Sequence, residues 1–504
     1  MPEQAGDRPR NLADLVRAAA RHGAKPALVS PAGTLSWAEL DARVAAVAGA
    51  LHDRLDPGER VLLALPNTPE FAVGYFALLR AGLVAVPANT GYPADEMTHL
   101  LADSGARLAV VGPDAADAVR TAADRVPGPV DVLAVDGRGL PTGRPLDTAV
   151  GGAEDLAVLL YTSGTSGRPK GAMLTHRALL ANLDQLGRVR PPLITHDDVV
   201  LLVLPLFHVY GLNAALGLLV SAAATGVLVE RFDPVATLEL IRRERVTNLV
   251  GAPPMFVAWS MLPDVAAAFA GVRLAVSGAA PLPAPVWTAL REATGREVHE
   301  GYGLTETAPV LTTSVLSPTV KPGSVGRPLP GVQLQLRDDR GREVEEEDPG
   351  EVVVRGANLF SGYWPDGRDG PDRDGWFATG DLAYADEDGD LFLVGRTQEL
   401  ILVSGFNVYP REVEEVLGRH PAIAEVAVVG LPHPYTGETV KAYVVLRPGV
   451  ELAARDVTEF AAGSLARFKC PTVVEFVDSL PRSVAGKVAK GRIDPATDPA
   501  TGPG

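Results

Sequence analysis

The sequence predicts an α/β protein with a large N-terminal part of parallel-rich βα units, a shorter antiparallel β region and a small α+β unit at the C-terminus. Three observations carry this reading. Short branched apolar runs alternate with amphipathic stretches over about the first 280 residues, the rhythm of βα units around a buried parallel sheet. Beyond about residue 320 the segments shorten and turns punctuate them, as in antiparallel sheet. The length, 504 residues, accommodates about three folding units and a core that needs no covalent staple.

The elements follow in order. Ala27–Ser30 is a short apolar run, and Ser36, Trp37, Ala38 and Glu39 form a capping-box signature for a helix through about Leu51. Arg60–Leu65 is strand-like, Pro69–Ala81 helical, Leu83–Pro87 strand-like, Pro93–Ser104 helical and Leu108–Val111 strand-like. The alternation continues through Ala157–Tyr161, His176–Leu186, Val199–Leu204, Thr225–Glu230, Val235–Arg243, Asn248–Gly251 and Leu274–Ser277. Gln333–Arg337, Glu351–Arg355 and Leu391–Val394 are the short strands of the β region. From about residue 400, a helix at Pro410–Arg419 precedes strands at Glu425–Val429 and Val440–Leu446, then a helix at Ala454–Leu465 and a strand at Thr472–Phe476. There is no internal repeat, and residues 494–504 read as a loose tail.

Composition excludes several function classes. A single cysteine, Cys470, leaves no internal disulfide framework and no cysteine-based zinc cluster. The formal net charge of −16 argues against broad nucleic-acid or anionic-membrane binding. The N-terminus lacks a signal-peptide apolar core, and no apolar run reaches the ~18 residues of a membrane span, so a cytoplasmic location without stable membrane insertion is expected. Lysine is scarce, 7 against 39 arginines, so each lysine stands out as a candidate functional cation.

The most informative segment is Tyr161-Thr162-Ser163-Gly164-Thr165-Ser166-Gly167-Arg168-Pro169-Lys170-Gly171, after a buried-strand pattern and before another helix. Glycines let backbone amides approach an anion, hydroxyls donate hydrogen bonds, and Lys170 adds positive charge. Arg168 and Pro169 separate Gly167 from Lys170, so it is not the Gly-Lys-Ser/Thr loop of P-loop NTPases. The bland alternative is a flexible surface loop, which rarely needs so many small and hydroxyl residues in a row.

This loop resembles the phosphate loop of the adenylate-forming superfamily, which includes acyl-CoA synthetases, amino-acid adenylation domains and luciferases. Further matches come in the family's order: Leu204–His208, Ser277–Pro281, Gly301–Thr307, Gly375–Asp381, Gly395-Arg396, Ser404–Pro410 and Pro481–Lys487. The resemblance covers nearly the whole chain and is nearest to the AMP-forming fatty-acyl-CoA synthetases. It implies an N-terminal domain over residues 1–395 with a β-barrel-like region, a hinge at 396–399 and a small mobile domain over 400–493. The hinge position is Gln398, followed by Glu399, where the family usually has Lys or Asp, then Asp.

The resemblance also implies substrates and roles. ATP, a carboxylic acid and coenzyme A are the partners, with Mg²⁺ as cofactor; the sequence sets no oligomeric state. Thr162, Ser163, Gly164, Thr165, Ser166, Gly167 and Lys170 would surround phosphate. Gly278, Ala279, Ala280, Gly301, Tyr302 and Gly303 would lie along the adenylate, with the Tyr302 ring offering a face for adenine. Thr305 and Glu306 supply a hydroxyl and a hard carboxylate suited to phosphate and Mg²⁺. Asp381 would accept from the ribose hydroxyls, and Arg396 is a further candidate cofactor-binding residue. His208, Gly211, Val250, Gly278 and Gly301 would line the acid pocket. Lys487 would bridge the acid and α-phosphate during adenylation, and the Gly405 loop would approach the pantetheine thiol afterwards. Lys487, His208, Thr162 and Glu306 are thus the candidate catalytic residues.

The acid itself is read from charges. No aspartate stands near His208, where amino-acid adenylation domains hold the substrate ammonium. Gly301 stands where malonate-activating relatives carry arginine, which suggests space and disfavours a short dicarboxylate. Phe207–Asn213, Val250–Phe256, Ser277–Pro281 and Gly301–Val310 carry no charged group other than His208 and Glu306. An apolar tail fits such a pocket, since a buried unpaired charge is costly. A medium- or long-chain fatty acid is expected, with an aryl or small acid as the alternative. A non-catalytic acyl-adenylate-binding protein is disfavoured because Lys170, Glu306, Asp381, Arg396 and Lys487 are all present. A serine hydrolase is disfavoured because there is no Gly-x-Ser-x-Gly elbow.

Overall fold

The computed structural model describes residues 9–136, 139–162, 169–345, 348–404 and 406–482, together with 488, 490 and 493. The chain divides into two compact units. One holds the described residues up to Thr162, Pro169–Gln333 and Val354–Phe377; the other holds Leu334–Val353 and the described residues from Ala378 onward.

The first unit contains two sheets. In one, the strand order is Asp131–Ala134, Leu108–Val111, Arg60–Ala64, Val84–Pro87, Leu156–Thr162, Lys170–Thr175. All neighbours are parallel except the last pair, which is antiparallel. In the other, a parallel run of Val298–Gly303, Leu274–Ser277, Asn248–Gly251, Val199–Leu202, Thr225–Leu228 and Pro26–Ser30 is flanked by antiparallel strands. These are Gly33–Ser36 at one end, and Val310–Thr313 then Ser324–Pro328 at the other. Among the parallel strands, Val84–Pro87, Leu108–Val111 and Asn248–Gly251 are buried throughout, as expected of strands covered by helices on both sides.

Helix starts obey local chemistry. The helix Trp37–His52 opens on the capping box read from sequence: Glu39 N donates to Ser36 Oγ at 3.3 Å, and Ser36 N donates to Glu39 Oε2 at 2.8 Å. The helices Pro69–Arg80 and Pro113–Ala123 each place proline in the first turn, where its missing N–H costs nothing. The second of these has no counterpart in the sequence reading, because its buried positions, Ala115, Ala116, Val119 and Ala122, are mostly alanines.

One difference bears on function. The glycine-rich loop does not lead directly into a helix: the strand Lys170–Thr175 intervenes, so the loop joins two antiparallel strands, with Thr162 opposite Lys170. The helix His176–Gly187 starts only after that strand.

In the second unit, strands Gln333–Arg337, Gly350–Arg355, Phe377–Ala385 and Leu391–Arg396, whose bulk lies here, neighbour one another in that order. The C-terminal sheet is ordered Phe406–Val408, Ile401–Val403, Gly437–Leu446, Ile423–His433, with Val473–Phe476 parallel to Gly437–Leu446. Helices Pro410–Leu417 and Ala454–Ala462 contribute Val413, Leu417, Val457 and Ala461 to its core. Cys470 is buried in the same core as a free thiol, and burial raises its pKa, as for a packing rather than a reactive cysteine. Among the described residues no helix is long and apolar enough to cross a membrane.

Candidate active site

Val199–Leu202, Asn248–Gly251, Leu274–Ser277 and Val298–Gly303 are adjacent parallel strands, so their carboxyl ends share one edge. Ligands of open α/β sheets sit outside that edge. The predicted residues collect there: Val250 in the second strand, Gly278 just past the third, Gly301, Tyr302 and Gly303 ending the fourth, and His208 on the segment leaving the first. Ala279 and Ala280 are exposed beyond Gly278, and Ala279 has φ +70°, a left-handed conformation costly for a residue with a Cβ.

The segment bearing His208 is pinned by a buried side chain. Asn67 Nδ2 donates to Leu204 O at 2.8 Å, and Leu206 N donates to Asn67 Oδ1 at 2.9 Å. Tyr210 N donates to His208 Nδ1 at 3.3 Å. With Nδ1 accepting, Nε2 is the nitrogen that carries the proton and can donate to a carboxylate. The chain then enters a π-helical stretch, Tyr210–Gly217. Such stretches are rare and often mark functional sites.

Three predicted pocket glycines have specific steric surroundings. A Cβ on Gly278 would lie 2.9 Å from atoms of the Tyr210 ring, so that ring forms the wall there. Burial raises the Tyr210 hydroxyl pKa, keeping it neutral. At Gly211 a Cβ would meet Pro205 O at 2.3 Å, so this glycine serves a close backbone approach. The expected space at Gly301 is absent in the Cβ direction: Thr312 O lies 2.9 Å from a Cβ placed there, because Gly301 pairs with Thr313 on the antiparallel strand.

Thr305 and Glu306 sit in the one-turn helix Thr305–Thr307, at 9% and 8% exposure. Distant asparagines hold this turn and the residues just after it. Asn358 Nδ2 donates to Thr307 O at 2.8 Å, Asn213 Nδ2 to Ala308 O at 2.7 Å and Asn182 Nδ2 to Val310 O at 2.7 Å. Thr307 Oγ1 accepts from Leu304 N at 3.0 Å, closing the turn on itself. Ala308 is left at φ +62°.

Lys170 and Glu306 are linked through a residue that the sequence reading did not single out. Tyr363 Oη donates to Glu306 Oε1 at 2.5 Å, and Lys170 Nζ lies 5.1 Å from the centroid of the same ring. Lys170 also pairs with Asp369 at 3.1 Å, both side chains being substantially exposed. At the other end of the hairpin loop, Tyr161 Oη donates to Asp103 Oδ2 at 2.7 Å. Burial, then that hydrogen bond, raises its pKa.

In the second unit Asp381 and Arg396 face each other across the antiparallel pair Phe377–Ala385 and Leu391–Arg396, with Arg396 Nε 2.9 Å from Asp381 Oδ1. Gly380, at φ +75°, makes the left-handed turn that presents Asp381, whose N–H donates to Thr379 Oγ1 at 3.1 Å. Gln398 is exposed in the turn Thr397–Glu399. Glu399 pairs with Lys490 at 3.2 Å, and Lys490 also reaches Glu414 at 2.7 Å. Ser163, Gly164, Thr165, Ser166, Gly167, Gly405 and Lys487 lie outside the described residues.

Residues 15–364 match the AMP-binding enzyme family, and residues 412–487 match the AMP-binding enzyme C-terminal domain. The chain belongs to this family. It is an enzyme, an acid–thiol ligase of the adenylate-forming acyl-CoA synthetase type. It is 33% identical to a long-chain-fatty-acid–CoA ligase of Escherichia coli O157:H7, over 97% of this chain and 96% of that one. A feruloyl-CoA synthase of an Amycolatopsis species is 36% identical over 91% and 93%. Among solved structures, ATP-bound MatB from Rhodopseudomonas palustris superposes with a TM-score of 0.87 at 36% identity, covering 95% of this chain and 97% of that one. ATP, CoA and a carboxylic acid are accordingly the substrates of the family's chemistry here.

Proposed function

We propose that this enzyme activates an uncharged, largely apolar acid, a medium- or long-chain fatty acid, through acyl-AMP to acyl-CoA. The observation that carries this is the lining of the shared strand edge, where the four pocket segments carry no Lys, Arg or Asp, and, tyrosines aside, their ionisable groups are His208 and Glu306. A second carboxylate on the acid would find no cation on those segments. One observation favours an aryl acid as the second reading: the Tyr210 ring against Gly278 offers a flat aromatic wall.

In the first step a carboxylate oxygen attacks the α-phosphorus of ATP, giving acyl-AMP and pyrophosphate. His208 Nε2–H orients the carboxylate, Tyr302 stacks the adenine, and Asp381 with Arg396 engages the ribose. Thr162, Lys170 and the intervening loop carry the phosphates, and Lys487 stabilises charge developing at the α-phosphate. Mg²⁺ takes oxygen ligands, and Thr305 with Glu306 offers a hydroxyl and a carboxylate whose Oε2 has no partner among the described residues, so the pair fits it. Bound there, the ion would neutralise phosphate charge. In the second step the CoA thiolate attacks the acyl carbonyl along the Gly405 loop and AMP leaves. Gln398, within 396–399, is the hinge between an N-terminal domain of residues 1–395 and a mobile domain of 400–493, which turns between the steps.

The test is thioester formation with ATP and CoA across C2–C18, aryl and dicarboxylic acids, following AMP release. The expected preference is for octanoate or longer. Best turnover of benzoate-like acids would select the second reading, and best turnover of malonate would overturn both.

A further inference from the structure

Glu306 is 8% exposed, so water does little to orient its carboxylate, and the donors around it must. The segment Phe360–Tyr363 supplies them at two levels. Phe360 N donates to the Glu306 carbonyl at 2.9 Å, and Tyr363 Oη donates to Glu306 Oε1 at 2.5 Å. This segment is itself fixed to the strand that begins at Lys170. Ser361 N donates to Met173 O at 2.9 Å, Met173 N to Gly362 O at 3.1 Å, and Trp364 N to Gly171 O at 2.8 Å. The Tyr363 ring packs edge-on against Phe360, with centroids 5.1 Å apart, and carries Lys170 Nζ 5.1 Å from its own centroid. One phenol thus spans the cation at the end of the phosphate loop and the carboxylate of the Thr305–Thr307 turn. A cation near the ring face draws electron density from the phenol and makes its O–H a better donor.

We propose that Tyr363 is a positioning residue for adenylation: its hydroxyl occupies Oε1 of Glu306 and so aims Oε2 at the cation that accompanies the ATP phosphates, with Lys170 held at a set distance across the ring. The proposal rests on the ATP-site reading of Glu306. Tyr363 does not touch substrate; it acts through Glu306.

Tyr363→Phe isolates the hydroxyl, since the ring, its contact with Phe360 and its contact with Lys170 all remain. Three measurements bear on it. ATP–pyrophosphate exchange at saturating ATP should fall about tenfold in kcat, with the KM for the acid unchanged, which is the scale of one hydrogen bond to a charged group. Mn²⁺ affinity of the complex with a non-hydrolysable ATP analogue, read by electron paramagnetic resonance, should weaken about tenfold. In a Glu306→Gln background, Tyr363→Phe should add nothing further. If wild type exchanges pyrophosphate and Tyr363→Phe matches it in exchange and Mn²⁺ affinity, the positioning role is wrong. It is equally wrong if the two substitutions simply add. If wild-type protein binds no Mn²⁺ with the analogue, the ATP-site reading falls and takes this proposal with it.

Discussion

Asn213→Ala is expected to destabilise the first unit by about 2–4 kcal/mol and to lower adenylation as well. Asn213 is fully buried, and its Nδ2 donates to Ala308 O at 2.7 Å and Leu179 O at 3.1 Å. Truncation leaves both carbonyls without this donor, at about 1–3 kcal/mol for each buried group left unsatisfied, and adds a small void. Against that, Asn213 Oδ1 has no partner among the described residues, so removing it relieves one existing penalty and keeps the net below the full sum. Asn213→Leu fills the void and tests the hydrogen bonds alone. Asn213→Asp should be worst, because it places a charge at an oxygen that has no donor and removes the Nδ2 donor as well. Ala308 immediately follows the turn bearing Glu306, so the loss should reach the chemistry, with pyrophosphate exchange falling well below wild type at temperatures where the fold persists. Urea unfolding, followed through the transition of the larger unit, gives the stability, and exchange at 20 °C gives the activity. An Asn213→Ala protein within about 0.5 kcal/mol of wild type and fully active would refute the reasoning, since surface-like tolerance is incompatible with two buried acceptors depending on it.

His176 is buried, accepts from Leu12 N at 3.1 Å, and burial lowers its pKa to about 4 from 6.5. The folded state therefore resists the proton. Its stabilising contribution is complete above about pH 6.5 and is lost as pH falls toward 4, about 3 kcal/mol in all at ~1.4 kcal/mol per unit. The difference in unfolding free energy between wild type and His176→Gln, measured from pH 7.5 to 4.5, should narrow with acidification, and a constant difference would contradict the shift. Lys487→Ala should abolish pyrophosphate exchange but still convert supplied acyl-AMP to acyl-CoA, whereas Gly405→Leu should do the reverse; equal loss of both half-reactions in either variant would remove that division of labour. Gly301→Arg should lower kcat/KM for octanoate more than tenfold, because the new Cβ would press on Thr312 O at 2.9 Å before the guanidinium reaches the pocket. Unchanged kcat/KM would place Gly301 away from the acid.

What could be read from sequence was what neighbours in the chain decide. The Ser36–Glu39 capping box set a helix start correctly because its partners lie three residues apart. The strands Asn248–Gly251 and Leu274–Ser277 were legible to the residue because short apolar runs bounded by turns have few alternatives. Lys170–Thr175 was not read as a strand: its sequence, Lys-Gly-Ala-Met-Leu-Thr, lacks alternation, and only pairing with Leu156–Thr162 fixes it. Tyr363 and the asparagines at 182, 213 and 358 were invisible for a different reason. Their partners lie 57, 128, 95 and 51 residues away, and a lone polar residue in an apolar stretch carries no local mark of what it will hold. The space expected at Gly301 failed similarly, since a missing side chain in the sequence does not reveal a carbonyl from the adjacent strand.

These long-range contacts converge on one turn. Asn358, Asn213 and Asn182 hold the carbonyls of Thr307, Ala308 and Val310, and Tyr363 holds the Glu306 side chain. The turn needs such support because Ala308, at φ +62°, sits in a conformation that its own sequence disfavours. Phosphoryl transfer depends on positioning and charge neutralisation more than on covalent participation by the protein, so under the proposed role of Glu306 a rigidly held carboxylate is expected to matter to rate. The candidate acid end combines the Tyr210 ring packed against Gly278 with a histidine segment that Asn67 pins at Leu204 and Leu206. The two ends should therefore respond separately to substitution. Weakening the contacts around Glu306 should lower adenylation of every acid by a common factor, which pyrophosphate exchange with several acids would read. Tyr210→Ala should change the ratio of kcat/KM between acids, because its ring packs at Gly278 on the candidate acid edge, and an unchanged ratio would place that ring away from the acid.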